Sequence, residues 1–181
     1  MMKWRWTPSN VISLARLGLL PPLAWALLAD ATGWVVAIGL LAFLSDMLDG
    51  MLARRRGEVT ELGKLLDPLA DKLLAGTAAV VLSLQGRLPV WFTAVLLLRE
   101  LALLLGGWIA WRRFAVALPA LVPGKLAATV TVAALFAAYF QVPFLPWILA
   151  VALGFIGVAT LVYGRRWWRL RRRAVGEKVV N

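Results

Sequence analysis

The sequence predicts an all-α integral membrane protein: a bundle of six transmembrane helices with a polar cavity facing the cytoplasm. Three observations carry that expectation. Hydrophobic residues make up 62% of the 181 residues and the mean hydropathy is +0.81, against roughly 45–50% apolar in a soluble domain. Several stretches reach the length of about 20 apolar residues that a helix needs to cross a bilayer. Basic residues crowd alternate connections between those stretches, as the positive-inside rule requires.

The first span runs over 10–29, behind a short interfacial segment at about 1–9 that holds Lys3 and Arg5. A basic start and an apolar run also describe a secretory leader. This run is long and contains Arg16, so it reads as a span. The second span, 32–55, follows the break at Asp30 to Gly33 and ends on Arg54, Arg55 and Arg56. The third, 60–84, follows the short connection Arg56 to Val59 and stops before Gln85 to Pro89. The fourth, 90–111, ends on Arg112 and Arg113. The fifth, 119–140, opens on the polar stretch "PGKLAAT" and closes at the break Gln141 to Pro146. The sixth, 145–164, hands over to a basic tail at about 165–181. The opposite connections hold Arg87 as their single basic residue, so the alternation puts both termini in the cytoplasm. Five or seven spans would scramble it. The chain reads as a single membrane domain, 1–181, and the lack of a recognisable organelle-targeting segment suits a bacterial inner membrane.

Composition narrows the chemistry. There is no Cys and no His, which removes disulfides, thiolate nucleophiles, haem ligation and the usual zinc sites. Any metal must be a hard cation on oxygen ligands. The formal charge of +11 does not point to nucleic acid, because the basic residues sit where topology already demands them. Trp4, Trp6, Trp167 and Trp168 stand beside those residues as an interfacial belt, and the tail "RRWWRLRRR" suits anionic membrane lipid.

The stretch "DMLDGMLARRRGEVTELGKLLDPLAD", residues 46–71, breaks the apolar pattern with four aspartates. About the turn at Glu58, Asp49 and Asp67 are each nine residues away, and Asp46 and Asp71 are twelve and thirteen. In an antiparallel hairpin equal distances mean equal depth, here roughly 13–20 Å along the helices at about 1.5 Å per residue. Asp46 and Asp49 are spaced i, i+3 and Asp67 and Asp71 i, i+4, so each pair shares a helix face. If the faces meet, four carboxylates converge. A bare charge at mid-bilayer costs about 2.5–3.5 kcal/mol, so the cluster must be protonated, lie in a watery cavity or be neutralised by cations. Carboxylates without His or Cys suit Mg²⁺, Mn²⁺ or Ca²⁺. Gly50, Ala53 and Gly63 beside them allow either close helix packing or close approach of a ligand to the backbone.

The spacing Asp46-x₂-Asp49-Gly50-x₂-Ala53-Arg54-x₈-Gly63-x₃-Asp67-x₃-Asp71 matches without a gap the signature of the CDP-alcohol phosphotransferase family, which the chain resembles. The resemblance implies a cytoplasm-facing active-site cavity and a homodimer. Members cleave the diphosphate of a CDP-linked alcohol, pass its phosphoryl-bearing part to a second alcohol and release CMP. It also implies a site for Mg²⁺ or Mn²⁺, as two ions, held by Asp46, Asp49, Asp67 and Asp71, with Asp71 as general base. Asp46, Asp49, Gly50, Ala53, Arg54 and Gly63 would meet the nucleotide. The residues themselves leave open whether Asp71 is base, ligand or both.

Arg99–Glu100, Gly124-Lys125-x₃-Thr129 and the opening "SNVISLARLGLLPP", with Asn10, Arg16 and Pro21, are similar to the phosphatidylglycerophosphate synthases and their cardiolipin-synthase relatives. Two positions depart. "LALLLGGW" stands where an arginine often follows the Arg–Glu pair, and Val132 stands in place of a glutamine. Both concern the acceptor and leave the phosphotransfer core untouched. Within the spans, Lys64, Lys72 and Arg99 are read either as ion-paired and snorkelling groups or, with Arg112, Arg113 and Lys125 as best candidates, as a cationic pocket for an acceptor's phosphate. The expected reaction is transfer from CDP-diacylglycerol to glycerol 3-phosphate. Phosphatidylglycerol is the alternative acceptor, followed by inositol phosphate, serine or another alcohol, and a divalent-cation transporter or an inactive membrane scaffold are the competing classes.

Overall fold

The computed structural model describes the backbone of residues 8–56, 61–114 and 121–179, and the side chains of residues 11–45, 69–109, 112 and 121–169. Among them every regular element is an α-helix: α1 (Pro8–Leu17), α2 (Leu20–Leu28), α3 (Thr32–Arg56), α4 (Glu61–Leu84), α5 (Val90–Phe114), α6 (Val122–Tyr139) and α7 (Leu145–Val179). The stretches Val11–Leu28, Val90–Ile109, Val122–Tyr139 and Leu145–Arg169 are long and apolar enough to cross a membrane, and Thr32–Ser45 is a shorter apolar helix. Helix α4 is different because Glu61, Lys64, Asp67, Asp71 and Lys72 load its first half with charge. The helices form two compact units, residues 1–88 and 89–181.

The first expected span is present but broken in two. Gly18 and Leu19 form a turn between α1 and α2, with Gly18 N–H donating to the Leu14 carbonyl and Leu19 N–H to the Arg16 carbonyl. Pro21 and Pro22 cause the break: neither has an N–H to continue the ladder back across residues 17 and 18. The same prolines suit the first turn of α2, where such donors have no partner anyway. At the other end of the chain, α7 continues past residue 164 to Val179, because no proline interrupts its basic stretch.

Three helices end in the same way. After α2, Ala31 N–H reaches the Ala26 carbonyl and Asp30 N–H the Leu27 carbonyl. After α4, Arg87 N–H reaches Leu82 and Gly86 N–H reaches Ser83. After α6, Val142 N–H reaches Ala137 and Gln141 N–H reaches Ala138. Each is a Schellman closure, which needs one left-handed residue. Asp30 (φ 51°), Gly86 (φ 72°) and Gln141 (φ 50°) supply it. These are the breaks expected between the spans.

In the first unit α1 and α2 each pack against both α3 and α4. Among the described residues the two acidic helices are held chiefly through α1 and α2 rather than by pairing directly. The core is Leu23, Ala26 and Leu27 of α2, Val35 and Ile38 of α3, and Ala70, Leu74, Leu82 and neighbours of α4. Arg87 forms a two-pronged ion pair with Asp30 at 2.6 and 2.7 Å, and Gln85 Nε2 donates to the Leu27 carbonyl at 2.8 Å. The turn after α2 and the turn after α4 therefore lie together at one end of the unit. Arg87, the lone basic residue of its connections, is neutralised there.

In the second unit α6 and α7 pack along their length and α5 packs against α7. The buried face of α6 is Ala127, Thr131, Ala134, Leu135 and Ala138, a helical repeat of small residues. It faces an α7 whose buried positions include Ala152, Ile156 and Ala159. Small residues let backbones approach, which drives association where water supplies no hydrophobic force. Thr131 stays buried because its hydroxyl donates to the Ala127 carbonyl at 2.7 Å.

Gly124 has a specific packing role here. Tyr163 of α7 accepts a hydrogen bond from the Leu121 N–H at 2.9 Å, satisfying a donor just before α6. A Cβ at Gly124 would stand 2.7 Å from the Tyr163 hydroxyl oxygen and 3.0 Å from Cε2. Gly124→Ala should lower stability by about 1–3 kcal/mol through overpacking, read as thermal unfolding in detergent. In a Tyr163→Phe background, where the closest atom is gone, the same substitution should cost less.

Apolar side chains cover the outside. Trp25 (57% exposed), Trp34 (61%), Trp91 (53%) and Trp147 (76%) stand near helix ends away from the arginine runs. Exposed tryptophans near helix ends suit a membrane–water interface.

Candidate active site

Arg16 is the centre of the described part of the site. It lies on α1, inside the first apolar span, and is 1% exposed. An unpaired guanidinium so placed would be prohibitively costly. It is paired: Nη1 contacts Asp71 Oδ1 of α4 at 2.6 Å, and Nε donates to Ser45 Oγ of α3 at 3.3 Å. The Ser45 hydroxyl in turn donates to the Ala42 carbonyl at 2.8 Å. One buried cation thus ties three helices together. The Asp71 side chain remains 48% exposed, so the carboxylate is anchored from its buried side without being enclosed.

This contact orients the two acidic helices. Position 49 lies one turn beyond Ser45 on the same face of α3, and position 67 one turn before Asp71 on the same face of α4. Arg16 was identifiable in the sequence as a charge within an apolar run, but Ser45 was not singled out. Its signal is a hydroxyl directly before Asp46, at the start of the polar part of its span.

The side chains of Asp46, Asp49, Gly50, Ala53, Arg54, Gly63, Asp67 and Arg113 lie outside the described residues. Among those described, no three acidic side chains gather as a metal site. Arg112 is exposed at the end of α5 with its guanidinium carbon 5.1 Å from the centre of the Trp108 ring, a cation–π contact that tethers it. Lys125 is exposed in the first turn of α6, and its carbonyl accepts from the Thr129 hydroxyl at 3.2 Å. These two cations therefore stand on either side of residues 115–120. Arg99 pairs with Glu100 in α5, both largely buried, which accounts for the two charges in the middle of that span.

A family profile described as CDP-alcohol phosphatidyltransferase matches residues 6–163, which takes in α1 to α6 and most of α7. The chain belongs to the CDP-alcohol phosphatidyltransferase family. It is 42% identical over 123 residues to a Mycobacterium tuberculosis protein provisionally named a cardiolipin synthase, covering 67% of this chain and 58% of that one. It is 41% identical over 104 residues to the cardiolipin synthase (CMP-forming) of Streptomyces coelicolor, 54% of this chain and 48% of that one. It is also 41% identical over 101 residues to a Mycobacterium tuberculosis protein provisionally named a phosphatidylglycerophosphate synthase, 51% and 47% of the two chains. The chain therefore spans about half the length of the curated relatives it matches.

The residues of this family member fit the divalent metal that the family uses. The chain contains no His or Cys, so any donor set must be oxygen, and the four aspartates of the sequence motif, two in α3 and two in α4, are of the type that suits a hard cation. Asp71, the one described, is an anchored and accessible carboxylate.

Proposed function

We propose that the protein moves a phosphatidyl group from CDP-diacylglycerol to an alcohol that carries a phosphate, glycerol 3-phosphate first, releasing CMP. The observation that carries this reading is Asp71, held by the buried Arg16 and still accessible, on the face of α4 that also bears position 67 of the family's aspartate set. In this reading residues 1–181 form one six-span domain in a bacterial inner membrane, as a homodimer. Both termini and the polar cavity face the cytoplasm.

Asp46, Asp49, Asp67 and Asp71 would hold a pair of Mg²⁺ or Mn²⁺ ions. When bound, the ions supply neutralisation of the diphosphate and of the departing CMP. Asp46, Asp49, Gly50, Ala53, Arg54 and Gly63 border the nucleotide. The glycines and alanine leave the backbone open to approach, and Arg54 carries the charge that meets phosphate. Asp71 takes the proton of the attacking hydroxyl, which requires hydrogen-bond reach of about 2.6–3.2 Å. Arg112, Arg113 and Lys125 receive the acceptor's phosphate.

Phosphatidylglycerol as acceptor, giving cardiolipin, is the second reading. It is favoured by the names of the relatives and by the missing arginine after Arg99–Glu100. The test is CMP release by purified protein with CDP-diacylglycerol, a divalent ion and each alcohol in turn. Glycerol 3-phosphate should elicit release, and phosphatidylglycerol alone eliciting it would transfer the assignment to the second reading. Chelation with EDTA should abolish release and added Mg²⁺ or Mn²⁺ should restore it. Release that persists in EDTA would remove the metal site from this account.

A further inference from the structure

We propose that Arg16 and Ser45 are positioning residues that set the direction of the Asp71 carboxylate for the reaction. This rests on the reading of Asp71 as a site aspartate. The geometry is a directed chain. The Ser45 hydroxyl spends its proton on the Ala42 carbonyl at 2.8 Å and so presents its oxygen as an acceptor. Arg16 Nε donates to that oxygen at 3.3 Å. A guanidinium is planar, so fixing Nε fixes where Nη1 points. Nη1 meets Asp71 Oδ1 at 2.6 Å. The backbone of α3 thereby sets the rotation of a carboxylate on α4, through a side chain of α1.

A staple that merely held the helices would need the charge and not the direction. A positioning pair needs both. Arg16 side-chain burial (0% exposed) removes competing water from the fork, whereas Asp71 (48% exposed) stays open to a ligand. The arrangement is that of an outer partner steering a ligating carboxylate, and loss of such partners typically costs about 10–100-fold in metal affinity or activity.

The experiment uses the full chain in detergent with two readouts: steady-state CMP release, and Mn²⁺ binding to the substrate-free protein by electron paramagnetic resonance. Arg16→Lys keeps the charge but not the planar fork. It should lower kcat toward about 100-fold with the KM for CDP-diacylglycerol within about twofold, and weaken Mn²⁺ binding. Ser45→Ala leaves Arg16 in place and decides the matter should Arg16→Lys fail to fold. It should lower kcat and Mn²⁺ affinity about 10-fold, and Ser45→Thr should recover most of both. In an Asp71→Asn background Ser45→Ala should weaken Mn²⁺ binding no further, since the steered group is gone. Wild-type kcat and Mn²⁺ affinity in Ser45→Ala would overturn the proposal. So would a loss confined to KM, or a loss fully additive with Asp71→Asn. A wild-type protein that neither binds Mn²⁺ nor releases CMP would instead overturn the proposed function.

Discussion

Asp49→Asn and Asp67→Asn should each abolish metal-dependent CMP release, by at least about a thousandfold, while the proteins stay folded. The substitution keeps the size of the side chain and removes its charge. A neutral amide is a poor exchange for a carboxylate around a hard divalent ion. Losing roughly 4 kcal/mol of stabilisation of the developing phosphate charge corresponds to three decades of rate. The fold should tolerate the change, because in the proposed site four aspartates would repel one another when no cation is bound, and each Asn would remove part of that repulsion. The assay is CMP release with CDP-diacylglycerol and Mn²⁺, with circular dichroism and gel filtration as controls of folding. Full turnover in either variant would remove that residue from the proposed site. Uptake of Mn²⁺ into vesicles without any CMP release by the parent protein would favour a transporter.

Arg16→Ala should be the most damaging single change to the first unit. Removing one partner of a buried ion pair costs about 3–5 kcal/mol where the survivor is left as an uncompensated buried charge. Here the survivor, Asp71, is about half exposed and recovers some solvation, so the expected cost lies at the lower end, about 3 kcal/mol. The large buried side chain also leaves a cavity among α1, α3 and α4. Thermal unfolding in detergent should show a clear loss for Arg16→Ala and a smaller one for Ser45→Ala, which leaves the ion pair intact and removes the 3.3 Å bond from Arg16 and the 2.8 Å bond to the Ala42 carbonyl. Equal stability of Arg16→Ala and the parent would mean that the ion pair contributes nothing net to the fold.

These three substitutions separate two roles. Asp49 and Asp67 are expected to matter to chemistry at little cost in stability. Arg16 is expected to matter to both, since the same contact that anchors Asp71 joins three helices. Gly124 belongs to stability: the space it leaves is filled by Tyr163, so its place in the Gly-Lys-x₃-Thr element has a packing reason independent of any acceptor.

Much of this was legible before any coordinates. The helix boundaries agree with the expected spans to within a few residues for α3, α4, α5 and α6, because apolar length and helix stops are local properties. Asp30, Gly86 and Gln141 end their helices within the segments read as breaks. The first span, expected over 10–29, is an apolar stretch long enough to cross a membrane, and Pro21 and Pro22 split it into α1 and α2. The hairpin of 46–71 lies largely outside the residues whose side chains are described; among the described residues α1 and α2 pack against both α3 and α4, and α1 brings the buried Arg16 to Asp71.

The amino-acid order alone established where most of the helices run and where they stop, since both depend on neighbours within a few residues. It could not name the partner of any charge. Arg16 and Asp71 are 55 residues apart, Arg87 and Asp30 57, and Leu121 and Tyr163 42. Contacts at such separations leave no periodic trace in a chain, and they exist because helix packing in three dimensions must satisfy every buried donor and charge.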